Sequence, residues 1–249
     1  MASAPDRVLL YAFGGAAGDL AGRVRPLGYE PLVEEEPRAA AARVARRDEP
    51  ARAALIPSDF ALPERGGELD QLLRAAGAAG IRFAAVGPMP EPEAEQRLRD
   101  RNVRHCLWSP FHDRELRFVL NRALFDPSHN AFGADKSKLR HELRAPTELG
   151  ARIITGGREK PALIYNLSVG GCYLETLRPT LVGAAIEVTL PLPDGEFRAA
   201  GRVVLTNVPG NLERPNLPRG MAIEFLRLAP EAREAIQHYV LARAKAYEL

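Results

Sequence analysis

Two short clusters hold the most concentrated chemistry in this chain. The first, Arg140-His141-Glu142-Leu143-Arg144, places two guanidinium groups four residues apart. Each carries a permanent charge and a planar fork of N–H donors, which suits phosphate oxygens. The second, Asn166-Leu167-Ser168-Val169-Gly170-Gly171, offers an amide that both donates and accepts, a hydroxyl, and two glycines that permit close backbone approach. Taken singly, each is ordinary. An Arg-x-x-x-Arg spacing in an arginine-rich chain describes a solvated face, and Asn, Ser and Gly are common turn residues. In conjunction they define a pocket for a small, doubly anionic, hydrogen-bonding ligand. Arg152 and Arg158 are auxiliary cations of lower rank.

These clusters must be positioned by regular elements, and the two halves of the chain differ in period. In the first half, short apolar runs alternate with helical spacing. Strands are expected at Arg7–Phe13, Tyr29–Glu34, Arg52–Ile56, Ile81–Val86 and Val103–Trp108. Helices are expected at Ala16–Leu27, Pro37–Arg47, Gly67–Ala76, Pro92–Arg101 and Asp113–Phe125, the last with Asp113 as N-cap. Five β-α units imply a doubly wound parallel sheet covered on both faces.

Asp126–Lys138 is polar and turn-rich. Beyond it the strand candidates are Thr147–Thr155, Ala162–Asn166, Cys172–Thr176, Ala184–Leu190, Phe197–Val208 and Met221–Leu226. Pro193-Asp194-Gly195 marks a turn, and a helix is expected over Pro230–Glu248. Many short strands in little sequence indicate a small antiparallel barrel. The domains are therefore read as residues 1–126, a linker 127–139, and residues 140–249.

Leu139 to Tyr239 resembles the PilZ family. Arg144-Ala145-Pro146 looks like that family's Arg-x-Pro approach to the first strand. Asn166, Ser168 and Gly171 fit its (Asp/Asn)-x-Ser-x-x-Gly motif. Gly220-Met221-Ala222-Ile223-Glu224-Phe225 looks like its last strand before a closing helix. The resemblance implies a six-stranded barrel binding cyclic di-GMP through Arg140, Arg144, Asn166, Ser168, Gly170 and Gly171. It also implies roles in bacterial motility or biofilm control. In this reading the arginines contact phosphates and stack on guanine, Asn166 meets a base edge, and the glycines leave room for a base. Closure of Arg140 and Arg144 over the ligand would restrict the linker and carry the signal to the first domain.

The first half resembles CheY-like receivers in topology but not in chemistry. Ala12, Phe13 and Gly14 stand where a receiver has its acidic pair, Gly87 where it has Thr or Ser, and Ser109 before Pro110 where it has Lys. Asp59, four residues before Pro63, is the one candidate phosphoacceptor. Without its partners it reads more simply as a turn residue. The glycine-rich Phe13–Gly18 stretch reads as a tight turn rather than a dinucleotide site, and Glu34-Glu35-Glu36 as a solvated loop. His105, Cys106 and His112 lack the spacing of a metal site, and no nucleophile–base pair appears.

Composition narrows the function classes. With 34 basic and 32 acidic residues in 249, the net charge of +2 gives no sign of DNA binding. Two distant cysteines, Cys106 and Cys172, do not build a disulfide framework, no signal peptide is evident, and no apolar run approaches the roughly 20 residues of a membrane span. The expectation is a cytoplasmic, non-enzymatic receptor for cyclic di-GMP with no cofactor or metal. It would relay binding to an unidentified protein partner through a non-phosphorylatable receiver-like domain, with homodimerisation left open. The rival readings are a PilZ-type adaptor that binds no nucleotide and an active phosphorelay receiver with PilZ output.

Overall fold

The computed structural model describes residues 5–46, 51–77, 81–124, 143–209, 211–212 and 216–249. They fall into two units. One takes the described residues up to Leu124 together with Tyr247–Leu249, and the other runs from Leu143 to Ala246.

The first unit follows the expected alternation. Its elements are β1 (Asp6–Tyr11), α1 (Ala17–Val24), β2 (Tyr29–Glu34), α2 (Pro37–Ala45), β3 (Ala51–Pro57), α3 (Gly66–Gly77), β4 (Arg82–Gly87), α4 (Pro92–Asp100), β5 (His105–Trp108) and α5 (Asp113–Leu124). The strands pair in parallel in the order β2-β1-β3-β4-β5. Successive residues of β1 point to opposite faces, and both faces are dry. Leu9 and Tyr11 join Val44, Leu69 and Leu98 of α2, α3 and α4 on one side. Val8 and Leu10 join Leu20, Leu116 and Val119 of α1 and α5 on the other. Burial on both faces is why these strands read as continuous apolar runs. The strand order is that of a doubly wound, receiver-like sheet.

One cap differs from expectation. Asp113 is the first helical residue of α5, and its carboxylate pairs with Arg23 at 2.6 Å. The cap lies one residue earlier, where the His112 N–H donates to the Glu115 carboxylate at 2.9 Å and the His112 carbonyl accepts from the Leu116 N–H. Glu115 thus supplies the back-bonding half of a capping box.

The second unit is an antiparallel barrel. Its strands are β6 (Ala145–Pro146), β7 (Gly150–Thr155), β8 (Arg158–Ser168), β9 (Gly171–Glu175), β10 (Ala185–Leu192), β11 (Gly195–Val208), β12 (Asn211–Leu212) and β13 (Gly220–Arg227), followed by α6 (Pro230–Lys245). The path β10-β7-β8-β9-β13-β11 closes on itself through the β10–β11 pair, giving six strands in the ring. The short β6 pairs with β8, and β12 with β11. Ala235, Ile236, Val240 and Ala244 of α6 join the barrel core.

Two-residue turns set the register. Gly156-Gly157, with φ of +54° and +72°, joins β7 to β8, and Pro193-Asp194 joins β10 to β11. The expected strand over Thr147–Thr155 begins only at Gly150, because Thr147 anchors the chain first. Its N–H donates to the Tyr165 carbonyl, its hydroxyl donates to the Ile164 carbonyl, and the same oxygen accepts from the Leu149 N–H. The expected helix over Pro230–Glu248 stops at Lys245, and the last three residues go with the first unit rather than the second.

Closure brings backbones together at glycines. A Cβ on Gly171 would lie 2.1 Å from the Ile223 carbonyl oxygen, and one on Gly220 would lie 2.0 Å from that of Leu174. Backbone in a closed barrel cannot step aside, so Gly171→Ala is expected to destabilise the barrel by about 3 kcal/mol, the upper part of the overpacking range. Gly150→Ala, which meets nothing within 4 Å, is expected to stay within about 0.5 kcal/mol of wild type. Thiol labelling separates the units, because Cys172 is buried in the barrel and Cys106 in the first sheet. Faster labelling of Cys172 alone in Gly171→Ala is the expected outcome.

Candidate functional site

The Asn-x-Ser-x-x-Gly motif forms the hairpin between β8 and β9. Ser168 and Gly171 are paired, with Val169-Gly170 as the two-residue loop. Ser168 is fully buried, and its hydroxyl donates to the Gly171 carbonyl at 3.1 Å. The Gly170 carbonyl accepts the Phe225 N–H at 2.9 Å, which ties the loop to β13. Gly171 is demanded here by its approach to Ile223.

The register of β6 brings the arginine to this hairpin. Ala145 lies opposite Leu167 and Pro146 opposite Asn166, so Arg144 precedes the pair on the side of Ser168. The Arg144 guanidinium donates to the Asn166 side-chain oxygen at 3.4 Å. Arg144 is half-buried and Asn166 is buried. The same guanidinium acts on Cys172: burial pushes that thiol up to about 12, and the Arg144 charge pulls the opposite way. Arg144, Asn166, Ser168, Gly170 and Gly171 therefore lie together at one end of β8. Arg140 lies outside the described residues, as does the linker 127–139.

The auxiliary arginines do not join them. Arg152 on β7 donates to both carboxylate oxygens of Glu196, at 2.7 and 2.8 Å, and lies 3.7 Å from Glu159. Arg158 begins β8 and Ser168 ends it, a separation of roughly 30 Å at about 3.3 Å per residue. Proximity along the sequence misleads here because a long strand carries one end far from the other. Residues that the motif reading missed hold the surrounding loops. The Tyr173 hydroxyl donates to the Pro218 carbonyl at 2.6 Å, and the Asn207 amide donates to the Leu217 and Pro218 carbonyls. A buried Asn inside an apolar run was the available signal for the second of these.

In the first unit, the carboxyl ends of the strands are where ligands of such sheets bind. Asp59 lies beyond β3 in a short turn of 3-10 helix, exposed, with Arg65 donating to it at 2.7 Å. Arg65 also reaches Glu68 at 3.4 Å and lies over the Phe60 ring at 3.8 Å. The Tyr11 hydroxyl donates to Glu68 at 3.3 Å, and burial followed by the Glu68 carboxylate pushes its phenol up to about 12. Gly87 has φ of +143°, and a Cβ there would meet the Ser58 hydroxyl at 2.6 Å. A side chain at this φ is strained, which favours glycine there.

In the acidic run 34–36, Glu35 and Glu36 are exposed as expected, while Glu34 ends β2 and is half-buried. Glu35 accepts the Gly14 N–H at 3.0 and 3.1 Å, and Glu34 pairs with Arg43 at 2.8 Å. A carboxylate already fills the anion-seeking position of the Gly14-Gly15 turn. Burial also pushes the Cys106 thiol up to about 12. Among the described residues, no group of three or more His, Cys, Asp or Glu is arranged to hold a metal ion, and no helix is long and apolar enough to cross a membrane.

Residues 138–242 match the family model of the PilZ domain. No curated protein matches the chain. Among solved structures, the chain is similar to the Bacillus subtilis inhibitor of motility MotI/DgrA at 21% identity and a TM-score of 0.36. That match covers 43% of this chain and 52% of the other, so it spans about half the length of that protein. It is similar to the Vibrio cholerae chemotaxis protein CheY4 at 16% identity and a TM-score of 0.42, covering 49% of this chain and 100% of that one. It is also similar to the PilZ domain of CeSA from a cellulose-synthesizing bacterium, at 14% identity and a TM-score of 0.30, over 40% and 95% of the two chains. Residues 138–242 are a PilZ domain, and the chain joins it to a first unit of receiver-like fold.

Proposed function

We propose that the barrel is a receptor for cyclic di-GMP and that the first unit passes the bound state to a protein partner without being phosphorylated. The observation that carries the reading is the convergence of Arg144 with Asn166 at the β8–β9 hairpin. A contact of 3.4 Å between a guanidinium and a neutral amide is long and exchanges readily for a shorter, charge-assisted bond to a phosphate oxygen. Asn166, once released, has both an acceptor and donors for a guanine edge. Ser168, Gly170 and Gly171 act by fixing the hairpin that presents them. Arg140, four residues before Arg144, supplies the second cation.

Two features support a first unit that takes no phosphoryl group. Arg65 already neutralises Asp59, and Ala12, Phe13 and Gly14 provide no carboxylate to hold the cation that phosphoryl transfer requires. The unit then serves as a contact surface. The chemistry is binding and relay, with cyclic di-GMP and one protein as partners.

Calorimetry with cyclic di-GMP tests the first part. Wild type is expected to bind saturably, and Arg144→Ala to bind roughly ten- to a hundredfold more weakly, the loss of one hydrogen bond to a charged group. Absence of heat with folded wild-type protein would support the adaptor reading instead. Incubation with acetyl phosphate tests the second part. The intact mass is expected to stay unchanged, and a phosphoryl adduct that disappears in Asp59→Ala would restore the phosphorelay reading.

A further inference from the structure

Strand β5 forms one edge of the first sheet, and an edge strand presents unpaired N–H and C=O groups to any extended chain. Here that edge is covered by Tyr247-Glu248-Leu249. The Cys106 N–H donates to the Tyr247 carbonyl at 3.1 Å, and the Leu249 N–H donates to the Arg104 carbonyl at 3.2 Å. Glu248 stands opposite His105 in an antiparallel bridge.

Each side chain of the segment meets its own partner. Tyr247 is only 4% exposed; its hydroxyl donates to Glu115 at 2.6 Å and its ring meets Phe118 edge-on at 5.5 Å. The Glu248 carboxylate accepts from Arg122 at 2.6 Å. Leu249 packs against the apolar cluster beneath α2, α3 and α4. Glu115, Phe118 and Arg122 recur at helical spacing along α5 and form one stripe beside the strand.

We propose that the β5 edge and this stripe of α5 form a strand-addition site for an extended peptide of aromatic–acidic–aliphatic sequence. Residues 247–249 are its resident occupant. Main-chain bonds to β5 hold the strand, and the Glu115–Phe118 and Arg122 positions select its side chains, the division of labour usual in β-augmentation. Residues 247–249 pair along β5, and only Ala246 separates them from α6. A peptide of the same chemistry presented by another protein competes for the same bonds. The site uses none of the barrel residues and stands independently of nucleotide binding.

The test uses a fluorescein-labelled peptide of residues 244–249, Ala-Lys-Ala-Tyr-Glu-Leu, titrated against the full chain and against a chain ending at Ala246. The fold of the shortened chain is checked by the emission of Trp108. Anisotropy is expected to show saturable binding to the shortened chain at least about tenfold tighter than to the full chain. A Tyr247→Ala peptide is expected to bind at least about tenfold more weakly. Amide exchange at Cys106 should slow when peptide binds. A folded shortened chain that does not bind the peptide overturns the proposal. If shortening prevents folding, the full-length Tyr247→Phe chain replaces it, since it keeps the ring and loses the bond to Glu115. The peptide should then bind this variant at least about threefold more tightly than wild type, and equal binding overturns the proposal.

Discussion

The Ile223 carbonyl oxygen lies where a side chain at residue 171 would begin. That contact fixes the spacing between β9 and β13, and with it the point at which β8 must turn. The Ser168–Gly171 hairpin is then held from three sides: by the Ser168 hydroxyl on the Gly171 carbonyl, by the Phe225 N–H on the Gly170 carbonyl, and by the pairing of β6 with β8. Arg144 comes beside Asn166 because Ala145 pairs with Leu167 and Pro146 with Asn166. Arg144 is thus positioned by a packing constraint at the neighbouring hairpin, in keeping with the linked strand number and stagger of small closed barrels.

In the first unit the carboxyl ends of the strands carry their own set of paired groups. Arg65 stands between two carboxylates and above an aromatic ring. Ser58 occupies the space beside Gly87, and Glu35 holds the turn after β1. Arg65 is engaged by two carboxylates and the Gly14 N–H by Glu35, contacts that compete with a phosphate or a cation.

Much of this organisation is legible in the sequence because punctuation and period agree. Gly28, with φ of +91°, ends the first helical stretch where expected, and Pro37 and Pro92 open helices with their missing N–H in the turn that does not need it. Continuous apolar runs mark the buried parallel strands, and short strands separated by turn residues mark the barrel. The motif Asn166–Gly171 is readable because its turn is local. Partnerships across the fold are not. Nothing in the spacing says that Arg152 faces Glu196, that Arg158 opens the strand Ser168 closes, that Glu35 reaches Gly14, or that Tyr247 leaves its helix. Those facts depend on which backbones lie side by side, and periodicity within one element does not contain that information.

The return of Tyr247–Leu249 to β5 also makes the receiver-like unit discontinuous in the chain. During synthesis the ribosome releases β1 to α5 first, then the whole barrel, and only afterwards the residues that cover the β5 edge. Until then the nascent sheet carries an open margin of the kind that invites association with other chains. Translation order therefore supplies the covering segment only after both β5 and the barrel have been made.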